Sequence, residues 1–415
     1  MADSRPAAPD EAAFKSKNLY NAALYVIRQK FIFERVYFNY QTMDKLMQSH
    51  EAYKALPTKV SQQVLKLLDK NWQSFFESCK VYKECPEKFT GRPKLPKYKH
   101  KTEGRNILIY TLQAIGGGQT LEKGGNRNPL RLGLIQPSQL PIAVKTKQNP
   151  FTINQVRIVP RKGFYVVEIV YEKASEQVPV NPAYYAGVDI GVNTLATLAS
   201  NKPGFVPRIV NGRPLKSINQ FYNKRRAELQ HELGHTGTTK RIDHYMHTVS
   251  KRITNLLVKE GISTLVIGKN DAWKQEANMG KRTNQNFVQI PHARFISMLT
   301  YKAELVGITV KVTEESYTSK ASLLDLDPLP ARDPNNDDEK YTFSGKRIKR
   351  GLYRAQDGRL INADCNGSGN IIRKVAPDAF SKVEGVEDGK VVLASLVVHP
   401  VRFVIAPSRT QKGKS

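Results

Sequence analysis

Residues 185–200 read YAGVDIGVNTLATLAS, and one side chain interrupts an otherwise apolar run. The stretch has the composition of a buried strand, a turn at Gly191 and a second buried strand, so Asp189 is a carboxylate where water is scarce. Such a group costs several kcal/mol unless it is salt-bridged or holds a cation. Both readings stand at this point, and Gly187 and Gly191 on either side favour the site, because glycine lets other backbone come close.

Downstream of this run come a basic helical region from about Leu215 to Glu260, a strand STLVIG, a helix from about Pro291 to Val306 and a strand ITVKVTEE. Strands alternating with helices predict an α/β layer on a mixed sheet. Two more carboxylates fall on it. Glu315, with Glu314 beside it, ends the last strand just before YTSK, and Asp364 lies in RLINADCNGSGNII, ahead of an apolar helix. Asp364 also fits a helix cap. Three carboxylates from separate segments of one sheet are the hard oxygen set that two-metal phosphodiester hydrolysis requires.

Upstream, residues 1–14 are rich in Ala, Pro and Asp and predict disorder. Asn18 to Tyr82 carries helical periodicity for two to four helices. Pro86, Pro93 and Pro96 then enforce an extended arm, in which seven Lys and Arg from Lys88 to Arg105 face one acid, Glu103. From Asn106 to Glu172 short strand-like runs broken by GGGQ, KGGNRNP and RKG predict a small barrel, followed by a linker, KASEQVPVNPAYY.

Across 415 residues, 65 Lys and Arg against 37 Asp and Glu give a net charge of +28, so a polyanion is the natural partner. The 40% hydrophobic content excludes a merely disordered basic tail. Three cysteines, Cys79, Cys85 and Cys365, support neither a disulfide framework nor a four-cysteine zinc site, which predicts a reducing compartment. No run approaches the length of a membrane span, and no secretion signal is visible.

GVDIGVNTLATLAS resembles the first RuvC motif of the TnpB family, RNA-guided nucleases encoded by insertion sequences and related to compact type V CRISPR effectors and Fanzor proteins. INADCNGSGNI resembles the third motif, and KFTGRPKLPKYK and YTSK match in order and spacing. The resemblance spans roughly residues 15–380. It implies a multidomain α+β fold in which a helical recognition domain and a wedge-like β-barrel precede an RNase H-like (RuvC) α/β nuclease domain. The expected boundaries are 15–85 for the helices, 86–180 for arm and barrel, and 181–320 for the first nuclease part with a helical insertion at 213–260. A degenerate zinc-ribbon-like insertion at 321–360, the last nuclease part at 361–380 and an extension at 381–415 follow.

The resemblance implies Asp189 and Asp364 as metal ligands, with two magnesium ions or manganese in their place. In the middle motif the family's usual Glu is replaced, because STLVIGKND puts Gly268 there. Some relatives place a Glu two residues before the YTSK tyrosine, which corresponds to Glu315 here. The ribbon segment has no cysteine before Cys365, so zinc is not expected. Its acidic run DLDPLPARDPNNDDE lacks the spacing of a calcium loop and reads as solvated.

The resemblance also implies a structured guide RNA, a double-stranded DNA target, and a prokaryotic, cytoplasmic, nucleoid-associated setting. Lys88, Arg92, Lys94, Lys97, Tyr98, Lys99, Lys101 and Arg105 on the arm are candidates for nucleic-acid contact. So are Lys216, Lys224, Arg225 and Arg226 on the basic helix, and Lys346, Arg347, Lys349 and Arg350 in the insertion. Of His231, His235, His244 and His247 only the pair His244 and His247 shares a helical face, so they read as surface or core histidines, and Trp273 reads as a packing residue. Two rivals remain: a nuclease-dead, guide-directed repressor, motivated by Gly268, and a structure-specific nuclease that needs no guide.

Overall fold

The computed structural model describes residues 7–116, 129–161, 163–228, 236–269, 290–330, 341–380, 396 and 399–403, the side chains at 88, 225–228 and 236–240 excepted. They fall into two compact units, residues 1–173 and 174–415.

The first unit begins with four helices: α1 (Ala7–Gln29), α2 (Tyr40–Met47), α3 (Glu51–Lys54) and α4 (Thr58–Glu84). Leu24 and Ile27 of α1 and Leu65, Leu68 and Trp72 of α4 recur at helical spacing and are fully buried. The expected disorder of residues 1–14 is corrected for 7–14, which are helical. Asp10 in the first turn of α1 accepts from the Arg105 guanidinium at 2.7 and 3.0 Å and from the Tyr165 hydroxyl at 2.8 Å. These partners lie more than ninety residues away and hold the end of the helix.

The strands read as a barrel form a three-stranded antiparallel sheet and a separate ribbon. Strands β1 (Leu108–Thr111), β4 (Ile153–Arg161) and β5 (Phe164–Tyr171) pair in the order β1-β4-β5, and β2 (Leu134–Ile135) pairs with β3 (Val144–Lys145). The proline arm is tied to α1: Asn21 exchanges two 2.9 Å hydrogen bonds with the Lys99 backbone, and Lys17 donates to the Lys101 carbonyl at 2.5 Å.

In the second unit β6 (Asn181–Ile190), β7 (Thr194–Ser200) and β8 (Arg208–Asn211) form an antiparallel meander. After α5 (Arg213–Glu228) and α6 (Thr236–Lys259) the chain returns as β9 (Ile262–Gly268), which pairs parallel to β6 on its other side. Helix α7 (His292–Glu304) leads to β10 (Thr309–Thr313), parallel to β9. Strands and helices alternate on a mixed sheet, as the sequence predicts. Beyond it lie a small antiparallel sheet of β11 (Lys346–Lys349), β12 (Leu352–Arg354) and β13 (Leu360–Asn362), helix α8 (Ala363–Val375), and β14 (Val401–Phe403). The last strand, from the tail whose role the sequence left open, pairs parallel to β8, so the sheet runs β10-β9-β6-β7-β8-β14.

Alternation along β6 sorts its side chains between two faces. Ala186, Val188 and Ile190 join Met246, Val249, Ile253, Phe295 and Leu299 in the core beneath α6 and α7. Gly187 and Asp189 therefore face the other side, which α8 covers. A Cβ at Gly187 would collide with the Ser368 carbonyl oxygen and the Ile372 side chain. In the space this leaves, Ser368 Oγ donates to the Gly187 carbonyl at 2.8 Å and accepts from Ala199 N–H at 3.0 Å. Among the described residues no helix is long and apolar enough to cross a membrane.

Replacing Gly187 by Ala forces α8 off the sheet. We expect a loss of about 1–3 kcal/mol, the usual cost of overpacking, read as a lower melting temperature; an unchanged value would refute the close contact as a determinant of the fold.

Candidate active site

The sheet register aligns the site in one transverse row. Asp189 on β6 stands opposite Thr197 on β7, which stands opposite Ile209 on β8, which stands opposite Arg402 on β14. On the other side, Val188 pairs with Ile267, so Gly268 is the next neighbour of Asp189, and Gly268 pairs with Thr313. Residues opposite one another in a ladder share a face, and here it is the face under α8.

Helix α8 delivers Asp364 to that face. Its cap is Asn362, whose side-chain oxygen accepts from the Asp364 and Cys365 N–H groups at 3.0 and 3.1 Å. The capping reading of Asp364 is thereby replaced, and its carboxylate turns to the cleft. There it accepts from the Thr194 hydroxyl at 3.2 Å and from the Arg347 guanidinium at 3.4 Å. One turn along, a Cβ at Gly367 would stand 3.0 Å from Asp189 Oδ2, so only a glycine there leaves that carboxylate its ordinary room.

Glu315 follows β10 by two residues and so returns to the same face. Its Oε2 lies 2.9 Å from where a Gly268 side chain would begin, and the Ile371 side chain of α8 lies 2.6 Å from that point. The space of the missing side chain is thus shared by Ile371 and the Glu315 carboxylate. Glu314 points elsewhere: it pairs with Lys374 and accepts from Ser316 N–H at 2.7 Å. Burial raises its carboxyl, yet these hydrogen bonds outweigh burial and leave it below the ordinary value.

Asp189 and Asp364 line a cleft of ≈400 Å³ together with Thr194, Thr197, Arg347 and Arg350. Burial, reinforced by the nearby Asp364 charge and opposed by Arg347, pushes the Asp189 carboxyl up to about 7. Thr197 is 1% exposed, and its hydroxyl has no hydrogen-bond partner among the described residues. Adjacent carboxylates with an orphaned hydroxyl suit a hard divalent cation, which oxygen ligands hold. Among the described residues, no three His, Cys, Asp or Glu side chains stand close enough together to hold a metal ion, and the cleft itself brings together the pair Asp189 and Asp364.

The other sequence candidates separate. Lys216 donates to Asn193 Oδ1 at 2.8 Å, beside the cleft, while Lys224, Lys346 and Lys349 are exposed. Arg347, also exposed, meets the Asp364 carboxylate. On the arm, Arg92, Lys94, Lys97 and Lys101 are exposed, Tyr98 lies under Arg28, and Lys99 lies over Tyr20. Arg105 forms an ion pair with Asp10. Lys88, Arg225 and Arg226 have no described side chains; His231, His235 and Trp273 lie outside the described residues. The acidic run is not simply solvated: Asp327 is buried and accepts from Ser322 and Ser344 N–H at 2.8 and 3.0 Å, while residues 331–340 lie outside the described ones. Sequence reasoning passed over Thr194, Thr197 and Arg402, although a threonine and an arginine inside apolar strand runs are the same kind of signal as Asp189.

Two family models match the chain. OrfB_IS605, "Probable transposase", matches residues 168–274, and the Cas12f1-like TNB domain matches residues 292–371. The first match contains Asp189, and the second contains Glu315 and Asp364. No curated protein matches the chain. Among solved structures, the chain is similar to that of a Cas12f1-sgRNA-target DNA complex, with 13% identity, a TM-score of 0.49, and coverage of 88% of this chain and 82% of that one. A chain of a CRISPR-Cas12f ternary complex matches with 13% identity, a TM-score of 0.34, and coverage of 87% and 81%.

A carboxyl raised in the folded state binds its proton more tightly there than in the unfolded chain. Metal-free protein should therefore lose stability as pH rises from about 4 through about 7. Asp189→Asn should remove that loss, gaining about 1–2 kcal/mol at neutral pH, and should abolish stabilisation by added Mg²⁺. A variant no more stable than the native protein without metal would contradict the strained-carboxylate reading.

Proposed function

We propose that this chain, a member of the TnpB-like family, is an RNA-guided DNA endonuclease that hydrolyses phosphodiester bonds at the Asp189, Glu315 and Asp364 site. The observation that carries the reading is the position of the Glu315 carboxylate over Gly268, in the row that holds Asp189 and beneath the helix that holds Asp364. The carboxylate missing from β9 is supplied from the end of the neighbouring strand, which favours an active site over a dead one. The net charge of +28 supports nucleic acid as substrate and partner.

In this reading Asp189, Asp364 and Glu315 would hold two magnesium ions. When bound, such ions activate the attacking water and stabilise the leaving oxygen. The protein's own groups do the rest. The Thr194 hydroxyl orients Asp364, and the sheet backbone fixes Asp189. Arg347 offsets the charge of the acid pair and, released from Asp364, is free to hold a phosphate oxygen. Arg350 adds a second guanidinium at the rim, suited to bidentate phosphate contact. Exposed arm residues Arg92, Lys94, Lys97, Tyr98 and Lys101 supply sequence-independent backbone and stacking contacts in the guide-bearing unit, where base pairing by the RNA reads the target.

The test is cleavage of a guide-matched plasmid by protein co-expressed with its own locus. Native protein should carry RNA and cut with Mg²⁺. Asp189→Ala, Glu315→Gln and Asp364→Asn should each slow cutting by about 100-fold or more, the scale for losing one charge-stabilising group, while binding persists. Native protein that binds the matched target without cutting would establish the repressor instead, and cutting without RNA would establish the guide-independent nuclease.

A further inference from the structure

The tail strand brings a third arginine to the cleft. We infer that Arg402, delivered by β14, binds a phosphate of the DNA strand being cut and positions that strand for hydrolysis. The inference rests on the nuclease reading above and extends it to a segment outside both matched family regions, which end at residue 371.

Several observations converge. Arg402 closes the transverse row through Ile209 and Thr197 to Asp189, so its side chain leaves the sheet on the face of the carboxylates. It lines the same cleft as Asp189 and Asp364. Among the described residues no carboxylate pairs with it, in contrast to Arg347, whose guanidinium already meets Asp364. Within the strand Val401 and Arg402 are both exposed, and only Phe403 packs against the core, so the core does not account for the arginine.

The cleft itself asks for a ligand of this kind. Thr197, between Asp189 and Ile209 in the row, is buried with an unpartnered hydroxyl that lines the cavity. Leaving a buried hydroxyl unpaired is costly, and a bound phosphate or its water satisfies it. Arg347 and Arg350 come to the cleft from the small β11-β12-β13 sheet and Arg402 from β14 at the edge of the large one. Guanidinium groups from two separate elements lining one cleft with two acids form a cradle for a polyanion crossing the carboxylates. Arginine fits because its planar fork takes two phosphate oxygens at once, which a lysine point charge does not.

The experiment uses full-length protein with its co-purified RNA and the variants Arg402→Gln, Arg402→Met and Arg402→Lys beside Asp189→Ala. Four quantities are read: the single-turnover cleavage rate, the salt dependence of binding to a single-stranded oligodeoxynucleotide in Ca²⁺, the bound RNA and the melting temperature. Arg402→Gln and Arg402→Met should cut about 10–100-fold more slowly, as positioning losses do, and the slope of log K against log salt should fall by about 0.7, one phosphate contact on a single strand. Arg402→Lys should restore the salt slope and part of the rate. RNA content and melting temperature should stay as in the native protein.

Unchanged cutting and slope in Arg402→Gln would overturn the inference. So would loss of bound RNA, which would assign the arginine to the guide, or a melting temperature lowered equally in all three variants, which would make its role structural. If native protein and Asp189→Ala are equally inert, the nuclease reading fails, while the salt slope still reports whether Arg402 contacts DNA.

Discussion

The contact on which the second unit depends is the close approach of α8 to β6. Ser368 reaches across the space left by Gly187, accepting from Ala199 N–H and donating to the Gly187 carbonyl, and so stitches the helix to two strands. Small residues elsewhere in the helix serve the same approach. Asn366 bonds Leu323 N–H at 2.9 Å and the Ala321 carbonyl at 2.8 Å, and Asn370 donates to the carbonyls of Thr318 and Ala321. These bonds hold the YTSK segment, and with it Glu315, in register with the helix that bears Asp364. Helix, sheet and loop are locked to one another before any acid is considered.

That lock also sets where the Glu315 carboxylate lies. In the row Thr313, Gly268, Asp189 the middle position carries no side chain, and the Glu315 carboxylate reaches that space from the outer strand because period two returns it to the same face. A glutamate at 268 and one at 315 would compete for one volume, which Ile371 already narrows. The glycine and the relocated acid are therefore two halves of one arrangement. Concentrating acids there is costly, as the raised Asp189 carboxyl records, and the surplus of basic residues around the centre suits a ligand that carries its own charge.

What the sequence made legible follows from how local each cause is. Asp189 and Asp364 stood out because a charge in an apolar run is conspicuous without any structure. Glu315 needed the resemblance, since an acid at a strand end is ordinary and its significance lies in the register with β9. The cap of α8 was ambiguous because Asn362 and Asp364 both suit that role, and only the hydrogen bonds choose between them. Residues 7–14 read as disordered because the partners of Asp10, Arg105 and Tyr165, are remote in sequence. The same remoteness hid the tail: nothing within VRF announces a parallel partner two hundred residues earlier in β8.

The central claim is that Asp189, Asp364 and Glu315 form one cation site. Manganese-soaked crystals, read by anomalous scattering, test it directly. The account predicts manganese bound by all three carboxylates, with the Arg347 guanidinium displaced from Asp364. Manganese bound without Glu315, or no manganese at these residues, would contradict it.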